Sequence, residues 1–209
     1  MRKAPVLAVT LAAALVAALL AGGAEARTKK AAADWRTLVT GADRTRIRTW
    51  RQSFTKALGM ARASGSEGAV AAEGVLLRPD AARGDATPPP GRYRCRRVKL
   101  GAITPGLGDF ASMAPAPCRI QVEDGTLTLV QQDGAQQPTG HLYPDGPMRM
   151  IFLGSARMAD EARALAYGRD PERNMAGIFE RIGADRWRLL LPWPHWESTL
   201  QVIEVTPAS

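Results

Sequence analysis

Pro192-Trp193-Pro194-His195-Trp196-Glu197 concentrates more chemistry in fewer residues than any other stretch of this 209-residue chain. A histidine and a carboxylate two residues apart can pass protons to and from a substrate, which is the general acid–base work of a hydrolase. Two indoles stiffened by prolines also offer flat stacking surface at small entropic cost, suited to a sugar, a peptide or a partner protein. A structural role is the stronger competitor, as a rigid bend that plugs one end of a fold or receives a packed helix. No phosphate loop, nucleophile elbow or metal-spaced carboxylate set accompanies the pair. Trp193, His195 and Trp196 are therefore read as candidate binding residues. An exported hydrolase using His195 and Glu197 is the alternative, and no residue is assigned as catalytic.

The second concentration lies in Tyr93-Arg94-Cys95-Arg96-Arg97-Val98-Lys99, which the chain's other cysteine, Cys118, follows in the next apolar run. Two cysteines in an oxidising compartment most simply form one structural disulfide. A metal site lacks partners, because the chain has two histidines and neither stands at ligand spacing from a cysteine. No metal and no cofactor is expected. Arg94, Arg96 and Arg97 resemble an anion cluster, but alternation along a strand sends them to different faces, so solvated or cross-strand-paired arginines are expected. The Gly/Pro-rich loop from Ala102 to Ala116 carries Phe110 and Met113, two further candidate binding residues, either as a contact surface or folded down over one end of the domain.

Compartment and charge narrow the classes. Arg2 and Lys3, the uncharged run Pro5 to Leu20, and small residues around Ala24 and Ala26 form an export signal over residues 1–26, cleaved after Ala24 or Ala26. The expectation is a periplasmic or secreted protein. The chain carries a net charge of +8. Residues 27 to 62 hold ten Lys and Arg against Asp34 and Asp43, a balance of +8, whereas residues 63 to 209 hold sixteen bases and seventeen acids, a balance of −1. The positive charge thus belongs to one N-terminal element and not to the body of the fold, which argues against nucleic acid as partner.

The elements that must position these residues fall into two halves. Over 27–90 the pattern is helical. Asp34 caps a short helix through Trp35 and Leu38. Thr40 and Asp43 have capping-box spacing. Ile47, Trp50, Phe54, Leu58 and Ala61 recur at steps of three or four, predicting one helix over about 41–63. Arg44, Arg48 and Arg51 lie off that apolar stripe, so this helix either packs on the domain or lies on an anionic membrane surface. A shorter helix around 69–77 precedes the stiff connector Pro88-Pro89-Pro90-Gly91.

Over 91–209, turn signals such as Asp124-Gly125, Pro144-Asp145-Gly146 and Gly183-Ala184-Asp185 separate about eight β-prone runs. Several alternate, as in Trp187, Leu189 and Leu191 against Arg186, Arg188 and Leu190, which implies a sheet with one wet face. Closure into a barrel would remove its edges. Residues 159–168 read as a short helical insertion. The fold class is α+β: N-terminal helices packed on an antiparallel, roughly eight-stranded up-and-down β-barrel of lipocalin-like shape, with one disulfide.

Asp34-Trp35-Arg36, Gly91-Arg92-Tyr93-Arg94-Cys95-Arg96, Cys118-Arg119-Ile120, Gly140-His141-Leu142-Tyr143-Pro144-Asp145, Phe152-Leu153-Gly154, Glu180-Arg181-Ile182 and Arg186-Trp187-Arg188 together resemble an uncharacterised family of exported bacterial proteins, a domain of unknown function. The resemblance covers most of the mature chain and implies export without an assigned activity, so it carries over no site residues. The part after Gly91 is also similar to the small periplasmic barrels that inhibit secreted metalloproteases, although here a helical segment stands where those have a short free N-terminus. The reading that results is a non-enzymatic exported binding domain, a monomer, for a small apolar ligand or a protein partner. Attachment to the envelope through the basic helix is a further alternative.

Overall fold

The computed structural model describes residues 33–132 and 134–208; the expected export signal lies outside the described residues. Asp34 caps α1 (Trp35–Leu38) by accepting from the Arg36 amide. Thr40 caps α2 (Gly41–Arg48), its hydroxyl accepting from the Asp43 amide as the capping box requires. The single helix expected over 41–63 is two. Thr49 leaves helical geometry (φ −98°, ψ 15°) before α3 (Trp50–Ala63) begins, and its hydroxyl bonds back to the Thr45 carbonyl at 2.9 Å, a pattern that bends helices. The bend keeps Ile47, Trp50, Phe54, Leu58 and Ala61 buried. A shorter α4 (Glu67–Ala72) and a 3₁₀ turn (Gly74–Leu77) follow.

Nine strands make one antiparallel sheet: β1 (Gly91–Ala102), β2 (Phe110–Ser112), β3 (Ala116–Glu123), β4 (Thr126–Gln131), β5 (Gln136–Pro144), β6 (Met150–Met158), β7 (Asn174–Gly183), β8 (Arg186–Pro192) and β9 (Ser198–Pro207). Each strand from β3 onward pairs with the next, and β9 returns to β1, closing an eight-stranded barrel. The sequence placed a loop where β2 lies. β1 outruns β3, which pairs only with Gly91 to Cys95, and β2 takes the rest of that edge at Val98 to Leu100. Asp124 and Gly125, both at positive φ, form the tight turn that an Asp-Gly pair favours between β3 and β4.

Alternation builds two cores. Tyr93, Cys95, Cys118, Ile120, Leu129, Leu142, Phe152, Phe179, Trp187, Leu189, Ile203 and Val205 point inward and fill the lumen. Val98, Leu100, Ile151, Leu153, Ile178, Leu190, Leu200 and Val202 point outward and are covered by the helical stripe. The expected wet face is therefore largely dry here. Arg188, read as an outward polar residue, is wholly buried beneath the helices. Gly140 and Gly154 face each other across β5 and β6, where a Cβ on Gly154 would meet the Thr139 carbonyl oxygen and lie 2.7 Å from Gly140 Cα. That close approach of backbones lets the sheet curl. Replacing Gly154 by Ala is expected to destabilise the fold by about 1–3 kcal/mol through overpacking against backbone, read as a lower melting temperature, while Gly146→Ala, in open space but at φ 79°, perturbs only a surface turn.

The barrel's two ends differ. Tight turns gather at one, where the connector crosses: the Arg83 amide donates to the Arg181 carbonyl, the Asp85 amide to the Pro147 carbonyl, and the Tyr93 hydroxyl to the Pro89 carbonyl. The long connections 103–115, 132–135, 159–173 and 193–197 gather at the other. Residues 159–168 do not form the expected helix. Ser155 Oγ takes the Leu165 carbonyl at 2.5 Å and Arg157 takes the Glu161 carbonyl at 2.8 Å, so side chains capture acceptors that a helix would need.

Candidate functional site

At the loop-bearing end, β1 and its neighbours line a half-open cavity of about 270 Å³. Its origin lies in the overhang of β1. Above Cys95 the inward residues of β1, Arg97 and Lys99, have no β3 beside them, and the wall is completed by Met113, Ala114, Ala116, Gln131, Gly134, Ala135, Gln136 and Glu197. Cys95 and Cys118 form the expected disulfide, S–S 2.04 Å, tying β1 to β3 at the cavity floor.

Arg97 is 7% exposed. Its Nη2 donates to the Gln136 carbonyl at 2.6 Å and to Gln131 Oε1 at 3.3 Å. Its buried Nε–H meets no acceptor. Burial pushes its pKa down, opposed in part by the Glu197 charge. Lys99 pairs with Glu197. The side-chain oxygen of Gln136, on the same wall, is also buried without a donor, as is that of Gln201, which stands opposite Lys99 in the barrel register. Buried polar groups without partners are uncommon in folded proteins, and three gather at this end.

The sequence candidates disperse. Glu197 faces Lys99 in the cavity, whereas His195 turns to the helices, its Nε2 accepting from Arg46 at 2.8 Å with Glu172 3.5 Å from Nδ1. Burial, then the neighbouring Arg46 charge, lowers the His195 pKa. The two residues of the hydrolase reading therefore do not meet, and nothing in the structure points to that activity. Trp193 donates its indole N–H to Thr49 Oγ1 at 3.0 Å under Lys56, so it clamps the bend to α3. Trp196 packs partly against the lumen core and lines a narrow crevice with His195 and Gln201. Phe110, on β2, packs against the helix-covered core. Met113 lines the cavity.

Arg44, Arg48 and Arg51 are exposed, Arg44 donating to the Arg36 carbonyl and Arg51 to Asp80 over the Trp50 ring. The apolar side of the same helices faces the barrel, and no described helix is long and apolar enough to cross a membrane.

Sequence reasoning set Arg97 aside as solvated or ion-paired. Arg96 does follow that expectation, bonding Glu204 and Glu73 on the outer face. The signal for Arg97 was available in the alternation: Tyr93, Cys95, Arg97 and Lys99 share a face, and a structural cysteine marks that face as interior.

Asp43, also buried, ties α2 to the 159–173 loop. Its Oδ2 accepts from the Tyr167 hydroxyl at 2.6 Å and its Oδ1 from Arg46 at 2.8 Å. Burial and the Asp43 contact push the Tyr167 pKa up to about 12. Among the described residues no group of histidine, cysteine or carboxylate side chains is arranged to hold a metal ion.

A family model described as Domain of unknown function (DUF4893) matches residues 35–205. No curated protein and no solved structure matches the chain, so no match supports the likeness to inhibitor barrels.

Proposed function

We propose that the chain, which belongs to the family described as Domain of unknown function (DUF4893), is an exported, non-enzymatic binding domain whose ligand sits in the cavity at the loop-bearing end of the barrel. The observation that carries this reading is the buried, incompletely bonded Arg97 at the cavity wall. The filled lumen moves the expected ligand away from the apolar compound that composition alone favours. Phe152, Phe179 and Leu189, none of them exposed, occupy the space an apolar guest needs, and what remains open is lined by charged and amide side chains beside a short apolar wall of Met113, Ala114 and Ala116. A cavity of about 270 Å³ sits just under the usual range of roughly 300–1,000 Å³ for small-molecule sites, so the ligand is small. Export is supported by the disulfide, a bond that persists in oxidising compartments.

A protein partner is the second reading, favoured by the loop beside the cavity. Ile103 and Leu107 are 52% and 48% exposed there, and exposed apolar side chains beside a polar recess suit a docking rim.

Native mass spectrometry of the protein purified from its own envelope tests the proposal. Wild-type protein is expected to retain a small molecule that Ala116→Trp, filling the cavity, does not. A wild type with no retained mass, or the same retained mass in the variant, overturns the small-ligand reading.

A further inference from the structure

Among the described residues no carboxylate lies within ion-pair distance of Arg97, although eleven other residues supply the bases of ion pairs there, counting one histidine. Glu197, whose charge acts on Arg97, is engaged by Lys99. Among the described residues the cavity wall thus carries two positive side chains and one negative, a residual charge of +1, all of it at a guanidinium removed from water. A buried cation without a counter-charge is costly, and proteins rarely keep one unless something neutralises it.

We infer that the ligand of this cavity is a small organic monocarboxylate whose carboxylate is held by Arg97, an inference that rests on reading the cavity as a ligand site. One negative charge balances the residual +1. A phosphate, at close to two charges, overbalances it and finds only one cationic donor group to receive three oxygens. The Nε–H is unmet, and Nη1 donates to no described protein atom, so donors remain after Nη2 has bonded Gln131 and Gln136. Guanidinium groups suit carboxylates through such directed donors. The rest of the ligand meets Met113, Ala114 and Ala116, a short apolar wall that accepts a few methylene groups. The Lys99–Glu197 pair at the rim is electrically neutral and leaves the recognition of charge to Arg97.

The test follows the Arg97 Nε–Hε resonance and the Met113 methyl by NMR in the full processed protein. The probes are hexanoate, its neutral isostere hexanamide, inorganic phosphate, and the dipeptide acid acetyl-Ala-Ala. Hexanoate is expected to move both resonances and to bind at least about tenfold more tightly than hexanamide, a difference that a charge-assisted contact readily provides. Arg97→Gln is expected to abolish that preference. Tighter binding by acetyl-Ala-Ala than by hexanoate assigns the carboxylate to a peptide terminus, and the reverse assigns it to a free acid; both support the inference. Equal binding of hexanoate and hexanamide by the wild type, with the Met113 methyl moving, overturns the carboxylate assignment and leaves the cavity as a ligand site. Phosphate binding as tightly as hexanoate also overturns it. A Met113 methyl that no probe moves overturns both readings. The wild-type comparison decides the matter even if the variant folds poorly.

Discussion

Replacing Arg188 with Met is expected to lower stability by about 3–5 kcal/mol, the cost of leaving a buried partner charge uncompensated. Arg188 and Glu180 are 0% and 4% exposed. The guanidinium holds Glu180 Oε2 at 3.0 and 2.7 Å and also bonds the carbonyls of Leu76, Arg78 and Pro79, at 2.8, 2.8 and 3.2 Å. It is therefore the polar bolt between β8 and the end of the 3₁₀ turn, with the Phe54 ring 5.4 Å away. The methionine fills much of the volume but leaves a buried carboxylate and three carbonyls without donors. For a domain of this size each kcal/mol moves the melting temperature by about 2–4 °C, so a fall of roughly 6–20 °C is expected in thermal unfolding followed by circular dichroism. Arg188→Leu combined with Glu180→Leu should recover part of it, because the stranded charge is gone. Arg186→Gln, which breaks a partly exposed pair with Glu204, should cost no more than about 1 kcal/mol. Equal losses at positions 186 and 188 would contradict the burial argument.

The second large effect concerns the disulfide. Cys95 and Cys118 are separated by 23 residues, and closing a loop of that length removes about 3 kcal/mol of unfolded-state freedom in the chain-entropy model. Replacing both by alanine is expected to lower the melting temperature by roughly 6–12 °C on the same scale. The loss should reach further than stability. The segment between the cysteines contains β2, which pairs with β1 through only three residues, and the Met113 to Ala116 side of the cavity. Hydrogen exchange in the alanine pair is expected to rise first at residues 103–116, ahead of β8 and β9. Uniform acceleration over the whole barrel would instead place the disulfide's effect in global stability alone.

How much of this was legible in the chain depends on whether the cue is local. Asp124-Gly125 and Gly183-Ala184-Asp185 mark turns through backbone demands that few residues meet, and the strands between them follow from alternation. The Asp34 and Thr40 caps read correctly for the same reason. Residues 159–168 did not. Their Ala, Glu, Arg and Leu favour a helix, but Ser155 and Arg157 on β6 take two of the carbonyls, and intrinsic preference yields to such tertiary contacts. Arg188 alternates like an outward polar residue, and only the packing of α3 and the 3₁₀ turn makes outward mean buried.

At the site, the Trp193–Glu197 bend stood out by composition, yet nothing local could say that its side chains part company, His195 to Arg46 and Glu197 to Lys99. Arg97 lay on the face that Cys95 marks as interior. Its importance comes from the shortness of β3, a feature of pairing between strands and not of either strand alone.

Binding of a small acid at Arg97, as proposed for the loop-bearing end of the barrel, must stabilise the fold. A ligand that binds only the folded state raises the melting temperature in proportion to the logarithm of its excess over the dissociation constant. The direct measurement is the melting temperature of the full processed protein across a hexanoate series, beside Ala116→Trp. A rise that continues with concentration in the wild type and is absent from the variant is the predicted result. A flat wild-type response, or the same rise in a protein whose cavity is filled, would contradict it.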